Sequence, residues 1–212
     1  DAATQCLELV ERLEHTHHDQ RSVRHEIDLL RARALFSLGD HDADNVLEAS
    51  GEPRGTEPLE LRFAYHEMKL IALLGRGLFQ EAEALEPILL RMLEESPRLE
   101  LLARIHAALT RLNIHTKQYA RATTHARQSS ELCEQLDEPL IELSARNMYA
   151  IALQESDDHD QARQQLKRCY ALAQTLGSAR FQVIALNTLG DLEMRLGRWH
   201  EAQHWLRLGL DV

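Results

Sequence analysis

Leu101, Ile105, Leu109 and Leu112 return at intervals of four, four and three residues, and Leu186, Leu189, Leu192 and Leu196 at three, three and four. That spacing puts apolar side chains on one face of an α-helix and leaves the opposite face polar. Each stripe stops at a break, "ESDD" at Glu155–Asp158 or "LGR" at Leu196–Arg198, and a second helical pattern follows. A stripe, a break and another stripe predict a helical hairpin.

The hairpins recur. Ala202, Ala162, Ala122, Ala82, Ala43 and Ala3 are separated by 40, 40, 40, 39 and 40 residues, and "GLFQEAE" at Gly77–Glu83 answers "GRWHEAQ" at Gly197–Gln203. A period of this length signals stacked supersecondary units. An alanine at the crossing of two helices is expected, because axes about 8 to 10 Å apart leave no room for a larger side chain. Phe79, Tyr119 and Trp199, three residues before the alanines, are expected to cap the apolar seam of each hairpin. Pro58, Pro97 and Pro139 mark first-helix starts, with Thr56, Ser96 and Asp137 as capping candidates. Pro87 falls inside a second helix and predicts a kink. "SGEPRGTEP", Ser50–Pro58, reads as a surface loop. The period divides the chain into units of about 1–17, 18–56, 57–96, 97–136, 137–177 and 178–212, stacked as a single domain.

"LNTLGDLEMRLGRWHEAQHWLRLGL", with Leu189, Gly190, Gly197, Trp199, Ala202 and Leu206, resembles the tetratricopeptide repeats. The likeness is poorer around Ala43, the period is 40 instead of about 34, no Trp opens the first helices, and Leu70 and Thr110 stand where a small residue is usual. Long-period repeats of this kind resemble the regulatory arms of GGDEF-type diguanylate cyclases and of maltose-regulator-type transcription factors. The resemblance implies an all-α, right-handed superhelix of about five hairpins, preceded by an orphan second helix from Ala2 to about His15. It further implies a concave groove formed by the first helices. Arg104, Arg111, Asn147 and Asn187 fall at its groove positions, and His115, Ile151, Gln154, Asp191, Met194 and Arg195 share that surface. Such a groove implies a non-catalytic scaffold for a protein, a peptide or a neighbouring domain, within a larger bacterial signalling or transcription protein. The alternative is a small-anion or metabolite sensor.

Charge sharpens the alternative. The chain carries −10 overall, yet Ser96–Ser130 holds Arg98, Arg104, Arg111, Lys117, Arg121 and Arg127 against the single acidic Glu100. Arg104, Ala108, Arg111 and His115 lie on one helical face, and guanidinium forks suit carboxylates and phosphates. Asn147 and Asn187, 40 apart, offer a donor and an acceptor each to an extended backbone. His106, Thr110 and Asn113 stand where other units are apolar and predict a buried, mutually satisfied polar cluster.

The remaining chemistry is thin. An acidic chain repels nucleic acid and anionic lipid, and no apolar run reaches the roughly 20 residues that span a bilayer. Cys6, Cys133 and Cys169 are odd in number and far apart, which fits a reducing cytoplasm and no disulfide framework. "HTHHD", His15–Asp19, has the ligand types for zinc but not the spacing, so no metal and no cofactor is expected. No phosphate loop or catalytic motif occurs, so no enzyme is expected either. The opening Cys6, Leu7, Val10 and Leu13 and the closing Trp205, Leu208 and Leu210 present more apolar surface than lone helices can cover. Flanking repeats, or a homodimer through the chain ends, are expected from them.

Overall fold

The computed structural model describes residues 4–7, 10, 21–38, 42–136 and 138–212. Ala3, Leu13, Asp137 and the His15–Asp19 run lie outside them. Residues 4–7 and 10 are helical, and eleven further helices follow among the described residues. No described helix is long and apolar enough to cross a membrane.

The chain divides into two compact units, Asp1–Ser96 and Pro97–Val212. The first contains α1 (Arg21–Leu38), α2 (Asp42–Ser50), α3 (Leu59–Gly75), α4 (Phe79–Glu83) and α5 (Glu86–Glu95). Its core sets Leu29 and Ala32 of α1 and Leu47 of α2 against Leu61, Tyr65, Met68 and Ala72 of α3. The second contains α6 (Leu99–His115), α7 (Tyr119–Leu136), α8 (Pro139–Glu155), α9 (His159–Thr175), α10 (Ala179–Arg195) and α11 (Trp199–Leu210). Here α6 packs on α7, α8 on α9 and α10 on α11, while α7 touches α8 and α9 touches α10. The first helices α6, α8 and α10 also pack on one another and make the inner layer of the unit.

The same turn closes four hairpins among the described residues. Gly77, Lys117, Asp157 and Gly197, each 40 residues from the next, adopt left-handed φ of 72°, 61°, 62° and 70°. The following amide reaches back to the last turn of the helix: Leu78 N–H to Leu73 C=O (2.9 Å), Gln118 to Asn113 (2.8 Å), Asp158 to Leu153 (2.9 Å) and Arg198 to Glu193 (2.8 Å). This bonding satisfies carbonyls that a helix end leaves orphaned, and it reverses the chain within three residues. The repeated glycine of "GLFQ" and "GRWH" is the residue that adopts this conformation without strain.

Beyond the turn the second helix brings its alanine to the crossing. Ala43, Ala82, Ala122 and Ala162 are 0 % exposed and Ala202 is 2 % exposed. At Gly190 the approach is closer still, since a Cβ there would lie 2.6 Å from Leu206 Cγ.

Three local expectations need correction. Pro87 does more than kink its helix. It divides it into α4 and α5, because without an N–H it cannot bond back, and the chain passes through Ala84 and Leu85 before α5 begins with the proline in its first turn. Thr56 and Ser96 do not cap. The N-cap residues of α3, α6 and α8 are Pro58, Arg98 and Glu138, none with a side-chain bond, and a proline stands at or next to each of these helix starts. Phe79 and Trp199 do not seal the seam either. They are 43 % and 67 % exposed, each being the first helical residue after the turn.

Candidate functional site

The inner layer of the second unit carries the sequence-derived groove residues, and their environments differ. Asn147 (7 % exposed) and Gln154 (5 %) are buried, Ile151 is half-buried, and Asn187, Met194 and Arg195 are exposed. Gln154 Nε2 donates to Asp191 Oδ2 at 2.9 Å, and Arg195 donates from Nε to the same oxygen at 3.1 Å and from Nη1 to Glu155 at 2.8 Å. One polar chain therefore ties α8 to α10. The two asparagines do not form matching rungs. Asn147 Oδ1 accepts from Thr188 Oγ1 at 3.3 Å, whereas Asn187 stays exposed with its Oδ1 3.5 Å from the position a Cβ would take on Gly209.

On α6 the arrangement is looser. Arg104 and Arg111 are half-buried and His115 is exposed. The Arg111 Nη1 is shielded from water and has no hydrogen-bond partner. Although the residue as a whole is exposed, partial desolvation of its ring, and then the Arg111 charge one turn away, lower the pKa of His115, so the imidazole is neutral at pH 7.

The His106, Thr110 and Asn113 group is buried or half-buried but not mutually satisfied. Thr110 Oγ1 bonds to His106 C=O at 2.8 Å and Asn113 Nδ2 to Leu109 C=O at 2.7 Å, both one turn back along their own helix. Asn113 Oδ1 is buried without a partner. Stepping by four along one helix favours the backbone over a neighbour three residues away. His106 pairs across the hairpin, with Nδ1 3.0 Å from Nδ1 of His125 and ring centroids 5.2 Å apart.

That pair is one rung of a column that sequence reasoning missed. Forty residues on stand Arg146 and Gln165, bonded Nη1 to Oε1 at 2.9 Å. Arg146, 7 % exposed, also reaches Glu142 at 2.7 Å and Glu134 at 2.8 Å. A further 40 residues on, the same two positions hold Leu186 and Trp205. A second missed group joins Arg163 and Arg198 to Glu193, which is 2 % exposed. A third pattern is conservative: Ser129 Oγ donates to Ala103 C=O at 2.8 Å, and 40 residues later Cys169 Sγ donates to Leu143 C=O at 3.5 Å. For the first and third the signal was present as residues recurring at 40, but it does not say which partner each would take.

No protein-family model and no curated protein matches the chain. Solved structures do resemble it. The Rap protein complexed with Competence and Sporulation Factor superposes with a TM-score of 0.79 at 15 % identity, covering 98 % of this chain and 60 % of that one. BtubC (BKLC) from P. vanneervenii gives 0.70 at 16 % identity, covering 99 % of this chain and 87 % of that one. The chain thus spans 60 % of the length of the Rap protein. At such identities the likeness is one of fold, and the fold is an all-α stack of helical hairpins.

Proposed function

We propose that the second unit is a tetratricopeptide-like, non-catalytic scaffold that holds an extended protein or peptide segment along α6, α8 and α10, as the regulatory module of a larger bacterial protein. The observation that carries this reading is Arg111 Nη1, removed from water and lacking a partner on the inner layer. A buried donor left unpaired costs about 1 to 3 kcal/mol, and a carboxylate or carbonyl of a bound chain removes that cost. The exposed Asn187 and Met194 and the half-buried Ile151 extend the surface toward α10, supplying an amide for backbone and adaptable apolar contact. A structural neighbour of like fold, the Rap protein, is itself complexed with a factor.

A random-peptide phage library panned against the chain tests the proposal. Extended acidic sequences should be enriched, and the double variant Arg104→Ala, Arg111→Ala should bind them about tenfold or more weakly, the loss of one charge-assisted contact, with its helical circular dichroism unchanged. Inorganic phosphate that displaces the enriched peptide at low concentration would favour the small-anion reading. Failure to enrich, or equal binding by the double variant, rejects the scaffold role of this face.

A further inference from the structure

The first unit holds a recess of its own, about 220 Å³, where the Ser50–Pro58 loop meets α3 and α5. Most of its lining is ionisable: Glu52 from the loop, Arg62 and His66 from α3, and Arg91 and Glu95 from α5. A solvated surface would leave such groups in water, but two of them are sunk. His66 is 4 % exposed, and its Nδ1 has no hydrogen-bond partner. The Arg62 Nε is likewise buried without a partner, although its Nη2 donates to Glu95 at 2.6 Å.

The charge pattern selects a ligand. Arg62 and Glu95 close on each other, which leaves the exposed Arg91 and the exposed Glu52 to meet anything that enters, with Arg62 half-buried beside them. A simple anion would face the two glutamates, and a simple cation the two guanidiniums. A molecule carrying both charges satisfies the lining. His66 fits the same logic, because burial lowers its pKa against the opposing pull of Glu52, 3.7 Å from Nε2, and keeps the ring neutral. The recess is smaller than the roughly 300 to 1,000 Å³ of drug-sized sites, and among the described residues no group of three or more His, Cys, Asp or Glu is placed to hold a metal ion.

We propose that this recess binds a small zwitterion of amino-acid size, with its carboxylate on the Arg91 guanidinium beside Arg62 and its ammonium on the Glu52 carboxylate. The site belongs to the first unit and is independent of the inner face of the second.

Isothermal titration of the whole chain with a panel of α-amino acids tests it, with propionate and ethylammonium as the two halves of alanine. At least one amino acid should bind with a millimolar or lower Kd, and each half should bind about tenfold or more weakly than the best amino acid. Glu52→Ala and Arg91→Ala, both at exposed positions that leave packing alone, should each weaken binding by a similar factor. No heat with any amino acid, a half-ligand that binds as tightly as the best of them, or unchanged binding in either variant would overturn the assignment.

Discussion

At the scale of single residues, the rungs His106–His125 and Arg146–Gln165 show one repeat position solved two ways, and Leu186 and Trp205 fill the same positions with apolar residues 40 further on. The arginine rung is held by two carboxylates and an amide, so its charge is answered. The histidine rung titrates differently. Burial and then the neighbouring His125 push the pKa of His106 down to about 4. The unfolded chain, with histidine near its ordinary value of about 6.5, therefore binds more protons than the folded chain between those two limits. Stability that is intact above pH 6.5 is lost as the pH falls toward 4. Because the ring is only part-buried, solvent screening discounts the effect to about 1 to 2 kcal/mol. Urea unfolding at pH 7 and pH 5 should show the loss, and His106→Leu with His125→Leu, copying the apolar residue at Leu186, should flatten part of it. His66, also lowered mainly by burial, titrates in the same direction and keeps some slope in the double variant. An identical pH dependence in the variant would show that the pair contributes nothing.

At the scale of elements, the hairpins were legible because their determinants are local. Leucines at helical spacing, alanines at the crossings and glycines at two of four turns all act within about twenty residues of chain. Lys117 and Asp157 are the exceptions: they take the left-handed turn although their side chains crowd it. The period marks them as turn residues even so. Asp tolerates this region better than Lys, so Lys117→Gly should gain the more. Relief of strain of about 1 to 2 kcal/mol, less the extra entropy glycine carries into the unfolded state, leaves a net gain of about 0.5 to 1 kcal/mol, read as a higher urea midpoint. A lower midpoint would mean that the lysine side chain stabilises the turn by contacts that outweigh its backbone strain. The candidate site was less legible than the helices. Gln154 and Asp191 are 37 residues apart and meet only because α8 packs on α10. Repeat position places a residue on the inner layer, but burial of Asn147 and exposure of Asn187 depend on the neighbour each meets, Thr188 of the next hairpin in one case and Gly209 of the same hairpin's second helix in the other.

At the scale of the whole molecule, a uniform period conceals where the chain is densest. Repeats stack by nearest-neighbour contact, so stability is shared out along the stack and need not be even. The compact units meet in sequence at Ser96 and Pro97, where the residue before a proline is biased away from helix. The core of the second unit is built from its own residues, with Ala122, Ala126, Leu153, Ala162, Leu166, Leu189 and Leu192 packed together and Leu143, Cys169, Ala173 and Ala185 beside them. Residues 97–212 should consequently fold when expressed alone, with helical circular dichroism and one cooperative urea transition. Their two cysteines supply a stricter readout than helicity. Cys133 and Cys169 are both 0 % exposed, and burial, the chief cause in each case, pushes both thiols up to about 11. Neither reactive thiolate nor access is available in a packed core. Ellman's reagent should therefore label neither thiol in the native fragment within minutes at pH 8, and both once urea has unfolded it. A fragment that is helical yet labels at once would be a collapsed, loosely packed state, and the second unit would then owe its core to the first.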